Sequence, residues 1–197
     1  MIVYDCEIKK AISKKGEPLV PGIQYCEGWR DFKRMGVSCI CAYDFITDRY
    51  RVFVKDNMVE FQKLIDNTDF VVGFNNHNFD DKLCQANEIT IPHEKSYDIL
   101  VEVWAACGLS PTFNFRTHGG YGLEALSKAN FNTEKSGNGA LAPIWWQQKK
   151  PGAVIDYCLM DVKLTTDIMV QIYKTGKLTC PKTGNELSIR KPTEKGV

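Results

Sequence analysis

The sequence predicts an α/β domain with a mixed central sheet, an antiparallel meander followed by parallel strands, flanked by helices. Three observations carry that expectation. Short β-prone runs open the chain and recur near residues 40, 52 and 72; helical periodicity fills the intervals after the third of them; and a long apolar stripe closes the main body between a proline and a glycine. With 197 residues, 44% hydrophobic and 25% charged, the chain has the composition of one globular domain able to bury a core, which excludes a disordered, collagenous or coiled-coil protein.

Ile2 to Ile8 reads as the first strand, followed by an irregular, Lys/Gly/Pro-bearing loop through Gly28. Strands at about 36–45 and 50–54 flank the turn at Thr47-Asp48 and form a hairpin. Val59, Phe61, Leu64 and Ile65 recur at helical spacing. Phe70 to Phe74 is a buried strand, and Asn78 is placed to cap a helix carrying Phe79, Leu83, Cys84 and Ala86. A strand or strand-to-helix segment follows at 96–106, then the Gly-rich loop Arg116 to Gly122, a helix from Leu123 to Ala129 and a second Gly-rich loop at 136–139. Pro143 to Lys150 reads as a short helix whose Trp145 and Trp146 are expected mainly in the core. Pro151 starts the last long helix, with Val154, Ile155, Cys158, Leu159, Val162, Leu164 and Ile168 along its stripe toward Gly176. The domain is expected over 1–176, with 177–197 a basic hairpin extension, part of the same domain or a short tail, turning at Pro181 to Gly184.

Charge is unevenly spread. Residues 8–35 hold seven basic against three acidic side chains and residues 174–197 six against two, while 36–173 hold twelve against seventeen. Basic arms flanking an acidic centre suit a polyanion held beside bound cations, although solvated loops and a tail account for the same layout. The eight cysteines lack Cys-x-x-Cys pairs or His partners at zinc spacing, so reduced, buried thiols are expected. No apolar run approaches the ~20 residues of a membrane span, and the acidic start does not read as a signal peptide. A cytoplasmic protein is expected.

Three acidic motifs stand in order. Asp5 and Glu7, two apart on a strand, leave the same face while Cys6 points to the other. Carboxylates gathered within ~4 Å repel by about 4 kcal/mol per pair at an effective dielectric of ~20, so protons or hard divalent ions such as Mg2+ or Mn2+ must neutralise them. Gly73-Phe74-Asn75-Asn76-His77-Asn78-Phe79-Asp80 leaves a strand and enters a helix, where α/β proteins place ligands. Its amides suit a phosphate or sugar, and Asp80 suits a metal; an ordinary helix cap explains the same residues taken alone. Tyr157 and Asp161, four apart, share one helix face, so a tyrosine hydroxyl can orient water beside the carboxylate. Taken alone, that pair is also compatible with a packed Tyr beside a surface Asp.

Together, Asp5-x-Glu7, Asn75-x-x-Asn78-Phe79-Asp80 and Tyr157-x-x-x-Asp161 resemble the three motifs of the DEDD 3′–5′ exonucleases, the DnaQ-like group with a ribonuclease H-like fold. Tyr157 is similar to the tyrosine branch, and the Asn-Phe-Asp and Tyr-Cys-Leu-x-Asp wording to the proofreading domains of family B DNA polymerases. A longer similarity, to the YprB-type exonuclease domains found beside helicase modules, adds Gly122-Leu123-Glu124-Ala125-Leu126, Lys135 and Trp145-Trp146. The resemblance implies that Asp5, Glu7 and Asp161 hold one metal ion and Asp5 with Asp80 a second, while Tyr157 positions the attacking water. It further implies that Asn75, Asn78 and Phe79 meet the terminal nucleotide and that Asp98 stands near the site. Ile8 takes the place where many relatives carry Thr.

The expected activity is therefore metal-dependent 3′–5′ hydrolysis of single-stranded DNA or RNA ends, releasing nucleoside monophosphates with two Mg2+ or Mn2+ ions. A polymerase or helicase partner would act in trans, and no membrane is involved. The alternatives are a non-catalytic nucleic-acid-binding module of a replication or repair assembly and a structure-specific endonuclease on the same fold. His77, His93 and His118 are minor general-base candidates, His77 being nearest to a motif.

Overall fold

The computed structural model describes residues 1–13, 16, 18–133 and 139–192. Lys135 and most of the second Gly-rich loop lie outside the described residues. In chain order the elements are β1 (Ile2–Ile8), β2 (Ala11–Ile12), β3 (Tyr25–Cys26), α1 (Phe32–Met35), β4 (Val37–Asp44), β5 (Arg49–Phe53), α2 (Met58–Asp66), β6 (Val71–Gly73), α3 (Asp80–Ala86), β7 (Ser96–Asp98), α4 (Ile99–Ala106), α5 (Leu123–Phe131), α6 (Ala142–Gln147), α7 (Pro151–Thr175), β8 (Lys177–Thr179) and β9 (Glu186–Ser188).

The five-stranded sheet has the order β5-β4-β1-β6-β7. β4 runs antiparallel to β1 and β5, whereas β6 and β7 run parallel to β1. This is a mixed sheet flanked by helices, compatible with a ribonuclease H-like fold. The alternation of β1 sets the two faces. Ile2, Tyr4, Cys6 and Ile8 enter one core with Phe61, Ile65, Leu83 and Cys84 of α2 and α3. Val3 enters the other, with Cys39, Cys41, Trp104 and the α7 residues Val154, Cys158, Val162 and Ile168. Asp5 pairs with Cys41 and Glu7 with Cys39 across β1 and β4.

The 25-residue α7 starts at a proline and ends at Gly176, whose φ of +70° is the left-handed conformation that glycine adopts without a Cβ penalty. β8 and β9 then fold back as a hairpin that adds Leu178, Cys180, Leu187 and Ile189 to the α7-side core. The Tyr97 hydroxyl donates to the Arg190 carbonyl at 2.5 Å, and Arg190 pairs with Glu102 at 2.5 Å.

Two expectations are corrected. The excursion after Ile8 is not wholly irregular, because Ala11–Ile12 pairs in parallel with Tyr25–Cys26 and a one-turn helix follows. Asn78 does not cap α3; Phe79 holds that position, and the Asn78 amide donates to Asn75 Oδ1 at 3.2 Å instead. Asn75 is left-handed, with φ of +64°, and its carbonyl accepts from the N–H groups of Asn78 and Phe79, so a tight turn delays the helix to Asp80. No helix among the described residues is long and apolar enough to cross a membrane.

Candidate active site

β1 aims Asp5 and Glu7 at α7, and α7 returns Asp161 to them. The three carboxylates can each offer an oxygen such that all three lie within 4.8 Å of one another. Glu7 and Asp161 are buried and Asp5 is half-buried. Tyr157, one turn before Asp161, hydrogen bonds to it. Burial, followed by the charges of Asp161, Glu7 and Asp5, pushes the Tyr157 hydroxyl well above the usual tyrosine range. It therefore stays a proton donor at neutral pH. The Trp145 ring meets Tyr157 edge-on, with 6.5 Å between centroids. Gly139 lies so close that a Cβ there would come within 3.1 Å of the Tyr157 oxygen.

Asp80 stands outside the three-carboxylate group. Its Oδ1 accepts the N–H of Cys6, the residue between the two acids of β1, at 3.1 Å. Burial and then the neighbouring charge of Asp81 push its carboxyl up to about 7. Asp81, beside it in the first turn of α3, is an anchor: it accepts from the Tyr4 hydroxyl, from Ser96 Oγ at 2.7 Å and from the Asn76 amide at 3.2 Å.

The loop entering α3 is clamped by Asp98. This buried carboxylate accepts the N–H of Asn75 at 2.9 Å and of His77 at 3.1 Å, and also those of Leu100 and Val101 in the first turn of α4. Asp98 thus fixes the Asn-rich turn from beneath. Asn76 is fully buried and sits where a Cβ on Gly73 would come within 2.6 Å of it. Phe79 packs between Phe32, at 5.7 Å, and Trp29, at 6.1 Å, and Trp29 is itself 64% exposed.

The structure thus brings Asp5, Glu7, Tyr157 and Asp161 together and sets Asp80, at the start of α3, one hydrogen bond from β1. Asn75, Asn78 and Phe79 lie on the adjoining turn. Asp81, Ser96 and Trp29 were not singled out by motif or periodicity, whereas Asn76, whose amide the motif offered to a phosphate or sugar, is instead fully buried and donates to Ser96 Oγ at 2.9 Å and to Asp81 Oδ1 at 3.2 Å. Of the other candidates, His118 is absorbed in structural bonds to Ser110 and Thr117, and His77 packs on His93 at 5.5 Å. Trp145 and Trp146, expected in core packing, are half-buried and pack against the α7-side core. The described cysteines are all free, and Cys39, Cys41 and Cys158 form a second convergent group, buried, with Cys158 Sγ 3.4 Å from Asp5 Oδ2.

An all-oxygen set of two aspartates and one glutamate fits a hard divalent cation such as Mg2+ or Mn2+. The overall arrangement has a counterpart among solved structures. The chain is similar to the family B DNA polymerase from the hyperthermophilic archaeon Pyrobaculum calidifontis, with a TM-score of 0.58 and 15% identity. This is a likeness of fold. It covers 87% of this chain and 24% of the polymerase, so the chain spans about a quarter of that protein's length. No protein-family profile matches the sequence, and no curated protein is similar to it at the level of sequence.

Proposed function

We propose that the protein is a metal-dependent 3′–5′ exonuclease acting on single-stranded ends of DNA or RNA. The observation that carries this reading is the convergence of Asp5, Glu7 and Asp161 beside a protonated Tyr157. The ordered motifs, similar to those of polymerase proofreading domains, and the fold likeness to a family B polymerase support the same reading.

Asp5, Glu7 and Asp161 would hold one divalent ion, and Asp5 with Asp80 a second; bound there, the metal would sharpen a water nucleophile and stabilise the leaving 3′ oxygen. Tyr157 donates its hydroxyl proton toward Asp161 and so presents an oriented oxygen to the attacking water. Asn75, Asn78 and Phe79 line the turn that would hold the terminal nucleotide. Asp98 keeps that turn in register with β1 by binding two of its N–H groups.

The test is incubation of the protein with 5′-labelled single-stranded DNA and RNA oligomers in Mg2+, Mn2+ or chelator, beside Asp5→Ala. A metal-dependent ladder shortening from the 3′ end, absent in the variant, is expected. Cleavage of a circular single strand would favour an endonuclease, and tight binding without product a non-catalytic module.

A further inference from the structure

The carboxyl end of β1 runs directly from the carboxylate site into a basic pocket that the motifs do not include. The pocket has a volume of about 360 Å³ and is lined by Lys9, Lys10 and Lys149 with Gln24, Trp146 and Gln147; none of its lining residues is acidic. Lys9 is two residues beyond Glu7, so their Cα atoms are within about 7 Å. On the opposite wall, Trp146 follows Trp145, whose ring rests on Tyr157. Both walls are therefore continuous with elements that carry the site.

The frame is fixed by hydrogen bonds. The Lys9 N–H donates to the Gly36 carbonyl at 2.9 Å, and its own carbonyl accepts from Gln147 Nε2 at 3.0 Å. The same Gln147 amide donates to the Gln24 carbonyl at 3.1 Å and accepts the Gln24 N–H at 2.7 Å. One side chain thus ties the end of α6 to β1 and to the loop ahead of β3. Lys149 adds an independent sign. It holds a φ of +62° just past α6, the left-handed conformation that glycine takes without penalty and that ordinary residues resist. A charged side chain kept at a backbone position better suited to glycine points to a use for that side chain.

We propose that this pocket binds the phosphodiester backbone of a single-stranded nucleic acid a short distance from the end lying at Asp5, Glu7 and Asp161, with Trp146 offering a face to a base. The chemistry fits: three ammonium groups meet a polyanion, and an aromatic surface accepts stacking without regard to sequence. This proposal deepens the exonuclease reading and rests on it for the direction of the strand. Binding itself does not require catalysis.

The test measures the two separately. Affinity for a fluorescent single-stranded 12-mer is read by anisotropy in chelator, where metal-dependent cleavage does not proceed, across a salt series. Lys9→Gln, Lys10→Gln and Lys149→Gln combined are expected to weaken binding on the order of 10- to 100-fold at about 0.1 M salt, and to reduce the slope of log affinity against log salt by about 2. Lys149→Gly alone is expected to weaken binding several-fold while its melting temperature stays equal or rises, because the strain is relieved. Hydrolysis of the 4-nitrophenyl ester of thymidine 5′-monophosphate, too short to reach the pocket, should be unchanged in the triple variant. Unchanged affinity and salt slope in that variant, or no binding by the wild type, would overturn the pocket. Lysine-dependent binding by a wild type that cleaves nothing in Mg2+ or Mn2+ would support the pocket and overturn the exonuclease instead.

Discussion

A carboxyl group that is 6% exposed and adjoins a second acid is strained toward its neutral form, and Asp80, pushed up to about 7, is such a group. Without divalent metal its ionisation opposes folding at pH 8. Asp80→Asn keeps an acceptor for the Cys6 N–H and removes the charge, so it should stabilise the metal-free protein by on the order of 1 to 3 kcal/mol while abolishing the proposed cleavage. Calorimetry at pH 8 would show a melting temperature several degrees higher; a fall would mean that the charge is compensated in the fold. Gly73 makes the opposite case. A methyl group there would come within 2.6 Å of the Asn76 Cβ, and Asn76 is itself pinned by Ser96 and Asp81. Gly73→Ala should cost roughly 1 to 3 kcal/mol and shift the turn bearing Asn75 and Asn78. Urea titration and the rate on a labelled oligomer should decline together, and a variant with wild-type stability would refute the close approach.

Between residues and the whole lie elements whose ends are held by side chains. Asp44 closes the β4–β5 hairpin. Burial works against its charge, but Thr47 Oγ1 at 2.8 Å, the Ile46 N–H at 3.0 Å and Arg51 at 3.1 Å outweigh it and hold the carboxyl below the usual range. A depressed folded value places this stabilisation above the unfolded value of about 3.9 and removes it as pH falls through the folded one. Asp44→Asn should therefore destabilise by roughly 1 to 3 kcal/mol at pH 7 and by progressively less below pH 4. Denaturation at both pH values measures the difference, and a gap that widened in acid would contradict the sign. The elements also show what the sequence could reveal. β1, β4 and α7 were legible because period-2 and period-3.6 patterns state which face is buried, and the same periods place Asp5 with Glu7 and Tyr157 with Asp161. The late start of α3, the pairing of β2 with β3 and the four N–H groups gathered by Asp98 were not, since each depends on a turn conformation or on partners elsewhere in the chain. Asp80 was recognisable as a site acid from its motif, yet its bond to Cys6 was not.

At the scale of the molecule, the last strands belong to the core. Leu178, Leu187 and Ile189 are buried against α7 and its neighbours, and each apolar side chain of this size contributes about 1.5 to 3 kcal/mol. Ending the chain at Gly176 would remove a large share of a typical domain stability of about 5 to 15 kcal/mol. The truncated protein is expected to lose its cooperative thermal transition, and a sharp transition near the wild-type temperature would show that the hairpin is dispensable. The two margins of the main sheet have a different consequence. β7 is only three residues long, whereas β5 presents Arg49, Tyr50 and Arg51 to solvent on the opposite flank. A short strand and a charged one both discourage a neighbouring copy from continuing the ladder. The arginines thus act as gatekeepers against self-association: without them, Tyr50, Val52, Phe53 and Val54 would form a nearly uncharged, β-prone segment on an open flank, the kind from which aggregates grow.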